Sequence, residues 1–157
     1  MIFRFSELDS VYLPIYIKPF NSQTMLQRVF KVDTGSDACT ISKEDLQILG
    51  YNTLWIAENI VEKGIATLAN KTTIEVGIIQ IPLLNLLSYE CKYWPFTITI
   101  NEDTDFKNLL GRDLLAGFDY TFSNTEKIFE IEKAKRFVYI KERLRGQSID
   151  DLEQKTK

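Results

Sequence analysis

Residues 11–17 form an apolar run rich in β-branched and aromatic side chains, and apolar and polar positions alternate into a second strand through 27–32, so both segments read as strands. Lys18, Pro19, Phe20, Asn21 and Ser22 supply turn chemistry between them. A third strand is expected over residues 38–41. The pattern then changes at Ser42, which stands where a helix N-cap belongs. Glu44 and Asp45 fall in the first turn that follows, and Gly50 stands where the helix must stop, so one short helix is predicted. Strand-like stretches resume at 54–61, 65–68, 72–79 and 96–100, with Glu62, Lys63 and Gly64 as a hairpin tip. After a polar loop at 101–105, residues 109–117 read as a buried strand entering a brief helix closed by Gly117. A hairpin is expected from 118–122 and 127–131 around Ser123, Asn124 and Thr125, and one further strand at 136–141. The pattern is that of a mostly β fold with one or two short helices. It suits a single domain over residues 1–141 and a polar tail, helical or disordered, over 142–157.

Composition narrows the chemistry. The chain has 157 residues, 19 basic and 22 acidic side chains, a net charge of −3 and no histidine. Near-balanced charge argues against a general nucleic-acid binder. The missing histidine removes Ser-His-Asp and Cys-His nucleophiles and every His-containing metal site, so hydrolytic chemistry here must run on carboxylates. The two cysteines are too few for a disulfide framework and lack CxxC spacing. Cys39 is expected in the core and Cys91 partly exposed, both reduced. The first residues lack the features of a signal peptide, and no apolar run approaches the roughly 18 residues of a membrane span. A cytoplasmic location is expected, with no bound metal and no cofactor.

The chemically informative segment is an apolar strand running into Asp33, Thr34, Gly35 and Ser36, followed by Asp37 and a second apolar stretch. As a calcium loop it fails, because Gly35 offers no ligand at the third position and Ala38 replaces the turn glycine at the sixth, even though Glu44 fills the twelfth. As a phosphatase-type aspartyl nucleophile it lacks the second acid two residues on. By itself Asp-Thr-Gly is also a common turn. It fits best an acid pair that shares one proton and holds a water, one carboxylate acting as base and the other polarising a peptide carbonyl. Two ionised carboxylates about 3 Å apart repel, so such a pair titrates as a unit. Only one Asp-Thr-Gly is present. The second carboxylate is therefore expected from a second chain, in a twofold homodimer where Asp33 meets its own mate.

Two segments together carry a family resemblance: residues 32–37, and Leu109-Leu110-Gly111-Arg112-Asp113-Leu114-Leu115, with Asp33 and Gly111 78 residues apart. In that order they resemble the retropepsin-like aspartic peptidases, over roughly residues 11–131. The resemblance implies a closed β-barrel of the acid-protease kind, a homodimer, and hydrolysis of a polypeptide substrate. It implies that Asp33 is catalytic, that Thr34 grips the other subunit, and that Gly35 offers backbone to substrate. It further implies a bidentate, partly buried ion pair between Asp37 and Arg112, with Gly111 and Asp113 completing the second motif. A flap is implied between residues 54 and 68, with Glu62, Lys63 and Gly64 near its tip. Ser36 is expected to donate to the ionised carboxylate, favouring the charged form and shifting the pH optimum toward acid relative to an alanine version. A different class suits the same residues: a catalytically silent dimerisation or peptide-binding module on the same fold.

Overall fold

The computed structural model describes residues 1–5 and 10–133. The strand expected at 136–141 and the polar tail lie outside the described residues. Strand β1 (Ile2–Arg4) precedes β2 (Tyr12–Ile17) and β3 (Leu26–Val32). In β2, Leu13, Ile15 and Ile17 point inward and are fully buried, while Tyr12 and Tyr16 face out. In β3 the same alternation buries Phe30 and Val32.

Helix α1 (Lys43–Ile48) forms as its caps predict. The Ser42 hydroxyl accepts the Asp45 N–H, and Gly50 leaves the helix at a φ of 86° that favours glycine. A second helix, α2 (Thr53–Asn59), replaces the strand expected over 54–61. Its N-cap is Asn52, whose Oδ1 accepts the Trp55 N–H at 2.9 Å. The helix lays Ile56 into the core and Trp55 against Tyr51. This tertiary burial overrides the β preference of the local run.

Strand β4 (Ile60–Thr67) and the long β5 (Thr73–Leu86) form a ribbon, and β6 (Tyr89–Thr99) returns along β5. Glu62, Lys63 and Gly64 pair with Ile78, Gly77 and Val76 in mid-ribbon, so they are not a hairpin tip. The turn lies further on. There the Leu68 N–H donates to Thr72 O at 2.8 Å, Lys71 takes a φ of 66°, and Asn70 Oδ1 accepts the Thr72 N–H. The β5–β6 turn is made by Leu87 and Ser88, at φ of 51° and 68°, between the paired Leu86 and Tyr89.

Strand β7 (Leu109–Leu110) runs parallel to β3 and leads through Gly111 into α3 (Arg112–Leu115). β8 (Phe118–Ser123) and β9 (Ile128–Lys133) form the expected hairpin. The larger sheet has the order β4-β5-β2-β3-β7, with β6 on β5, and a second sheet has the order β1-β9-β8. The N-terminal segment thus pairs within its own chain.

The closed barrel implied by the resemblance is not formed by strands. Residues 38–41 leave the Asp33 turn too briefly to make a third strand, and only Thr40 bridges β6 at Thr97 and β7 at Leu109. One core unites both sheets, from Leu13 and Phe30 through Trp94 and Phe96 to Phe129. Cys39 and Cys91 are both buried, a correction for Cys91, whose place in β6 points it inward opposite Leu84. Asp45 is buried where Arg28 and Asn108 Nδ2 both donate to it, tying α1 to β3 and to the segment before β7. No helix among the described residues is long and apolar enough to cross a membrane.

Candidate active site

The Asp33 turn is held on two sides. From the strand side, the Val32 N–H donates to Val11 O at 2.8 Å and the Asp33 N–H to Leu110 O at 3.0 Å. From behind, the second motif reads the turn's main chain. The Arg112 N–H donates to Ser36 O at 2.8 Å, and the Asp113 N–H to Asp37 O at 3.3 Å. These contacts need the two backbones almost in touch, which is why residue 111 is glycine. A Cβ there would lie 2.4 Å from the carbonyl carbon and oxygen of Ala38.

Within the turn, Asp33 Oδ1 accepts the Gly35 N–H at 3.0 Å, and the Ser36 N–H closes on Asp33 O at 3.2 Å. Asp33 is half-buried, while Thr34 and Gly35 are exposed. Among the described residues the Asp33 carboxylate has no acidic hydrogen-bond partner. The Ser36 hydroxyl does not donate to that carboxylate; it donates to Ala38 O at 2.8 Å, because the turn aims it back at its own chain. Ser36→Ala is accordingly expected to leave the pH–rate profile in place. An upward move of the profile would show that the hydroxyl reaches the carboxylate during turnover.

Asp37 and Arg112 do meet, through one guanidinium nitrogen and Asp37 Oδ1. The pair is exposed rather than partly buried, with side chains 85% and 59% accessible in the single chain, and it is not bidentate. Asp113 does work the sequence did not reveal. Its Oδ2 accepts the Cys39 N–H at 3.2 Å, and its Oδ1 accepts the Cys39 thiol at 3.1 Å and the Leu114 N–H at 2.8 Å. Burial first, and then the Asp113 charge, push the Cys39 thiol well above its ordinary range, so it stays protonated and donates. Burial likewise raises the Asp113 carboxyl, against the lowering effect of the hydrogen bonds it accepts from Cys39 and Leu114.

That shift has a sign in stability. Folded Asp113 holds its proton more tightly than unfolded Asp113, so its contribution falls as pH rises through the interval just above the ordinary aspartate value. Melting temperatures across that interval are expected to show wild type gaining on Asp113→Asn as the solution is acidified. A constant difference between the two would contradict the assignment.

Asp33 opens on a cleft of about 740 Å³ whose walls include Tyr12, Val29, Phe106 and Leu109. Leu68, at the end of the β4–β5 ribbon, lines the same cleft. β4 is exposed over most of its length, so the ribbon projects from the body. Among the described residues no group of acidic or cysteine side chains is arranged to hold a metal ion. Asp105, although it lines the cleft, accepts the Lys43 and Glu44 N–H groups at the start of α1.

This architecture, a strand-borne Asp-Thr-Gly turn locked from behind by Gly-Arg-Asp, is the retropepsin-like fold. The chain is similar to the crystal structure of a retropepsin-like aspartic protease from Rickettsia conorii, with a TM-score of 0.59 over 82% of this chain and 86% of that one. At 19% identity the likeness is one of fold. No protein-family model matches the chain, and no curated protein matches it.

Proposed function

We propose that the chain is an aspartic endopeptidase that acts as a homodimer, with one Asp33 from each copy. The observation that carries this reading is the half-buried Asp33 on a doubly braced turn, opening on a cleft that a projecting ribbon also reaches. One carboxylate per chain cannot be both base and acid in the same step. Two chains related by a twofold axis supply both. The ionised member removes a proton from a water held between them, and the protonated member donates to the scissile carbonyl oxygen as the water attacks. The substrate lies extended, its main chain bonded to strand edges and its side chains in the cleft walls. In this reading Thr34, exposed beside Asp33, meets the other subunit, and the Leu68 end of the β4–β5 ribbon, which lines the cleft, serves as the flap. Two buried cysteines that form no disulfide suit a reducing compartment such as the cytoplasm.

The test is cleavage of mixed peptides from about pH 3 to about pH 7, where carboxylate pairs titrate, over a wide range of enzyme concentration. The expected result is specific activity that rises with concentration as dimers form. A folded dimer that binds peptides and cuts none would favour the silent binding module instead.

A further inference from the structure

The parity of β3 puts Val29, Lys31 and Asp33 on one face, since Phe30 and Val32 point into the core. Lys31 therefore leans into the same cleft as Asp33, about 6.6 Å along the strand at two residues' rise. Its backbone is fixed on both sides, paired with Tyr12 in β2 and donating its N–H to Asn108 O at 3.0 Å. Lys31 is half-buried, yet it takes part in none of the ion pairs among the described residues, which join Arg28 to Asp45, Lys92 to Glu90 and Arg112 to Asp37. Asp105, in the same cleft, is occupied by the N–H groups of α1. Glu44 stands exposed at the rim.

A half-buried lysine that lines a cleft and joins no ion pair is a site for an acid that arrives with the ligand. Tyr12 lies directly across the strand pair on the same face, and Val29 precedes Lys31 by one strand repeat. Together they offer apolar surface leading up to the charge. We propose that Lys31 is a specificity-determining residue that selects peptides carrying a glutamate or aspartate side chain close to the scissile bond, glutamate fitting better because its stem covers Tyr12 and Val29. This rests on the peptidase reading for the position of the scissile bond, but the charge preference itself belongs to the cleft.

The experiment has two arms. In the first, wild-type enzyme cleaves paired peptides that differ by Glu or Gln beside the cut, and kcat/KM is expected to fall roughly fivefold for Gln, the scale of a partly solvated ion pair. Lys31→Met, which keeps the stem, should erase that ratio, and Lys31→Glu should favour Lys over Glu in its place. In the second arm, Asp33→Asn protein binds the same peptides in a calorimeter, where the Glu preference should persist and shrink as salt rises. Equal kcat/KM and equal affinity for the Glu and Gln peptides would overturn the inference while leaving the peptidase reading intact. Binding that prefers Glu in the absence of any cleavage would support Lys31 and overturn the peptidase reading instead. The wild-type comparison of peptides needs no variant to fold.

Discussion

Gly111→Ala is expected to destabilise the chain by at least about 3 kcal/mol, the upper range for forcing added volume into a packed site. The added carbon would meet the Ala38 carbonyl carbon and oxygen at 2.4 Å and its nitrogen at 2.9 Å. All three are backbone atoms, so no rotamer change relieves the contact. Ala38 can retreat only by moving the turn that carries Asp33, since Ser36, Asp37 and Cys39 are all bonded to residues 111–113. The substitution should therefore lower the melting temperature by about 10 °C and remove activity from whatever remains folded. Gly64→Ala is the matched control, because its added carbon would find nothing nearer than a Val76 methyl at 4.0 Å. That variant should stay within about 0.5 kcal/mol of wild type. Equal melting points for the two variants would show that the second motif does not press on the turn.

The pressure at Gly111 also explains why the two motifs were legible together. Neither Asp33-Thr34-Gly35 nor Leu110-Gly111-Arg112-Asp113 is distinctive alone, but each needs the other's backbone, and both stand in the sequence with their small residue in place. Local rules that depend on one side chain were equally readable. Ser42 and Gly50 bound α1 as capping chemistry requires.

Features decided by distant partners were not readable in the same way. Residues 54–61 contain enough β-branched and aromatic side chains to read as a strand, and the one contrary signal was Asn52, a helix cap that binds Trp55. Gly64 is the residue of the ribbon that local rules mark as a turn. The chain instead turns where Asn70 supplies the hydrogen bond and Lys71 the positive φ, and Gly64 sits in a strand held by β5. The β5–β6 hairpin turns on Leu87 and Ser88, neither a usual residue for positive φ, so its strands could not be joined from pattern alone. Side-chain aim was the least accessible property. Ser36 bonds to Ala38 rather than Asp33, and Asp113 bonds to Cys39, because both depend on how the turn folds back on itself. The cysteine's buried protonated thiol in turn gives Asp113 a donor that no spacing rule would suggest.

Mixing wild-type chains with Asp33→Asn chains should inactivate more enzyme than the mutant displaces. Asparagine nearly preserves the shape and can still accept the Gly35 N–H, so the turn and the fold should survive. What is lost is a group that exchanges a proton, and a dimer with one asparagine lacks either its base or its acid. The all-mutant protein should fall by roughly a thousandfold or more in kcat/KM, since both roles vanish together. Co-refolded at equal amounts, random pairing leaves only about a quarter of dimers with two aspartates. Activity per total chain should then be about a quarter of the all-wild-type value. If each chain carried a complete site, the same mixture would retain about half, and the second acid would have to be sought within one chain. Among the described residues Asp33 has no such partner, and Asp105, the acid that shares its cleft beside Glu44, is held by the backbone of α1. The quarter rather than the half is the outcome that the homodimeric reading of a single carboxylate on a braced turn expects.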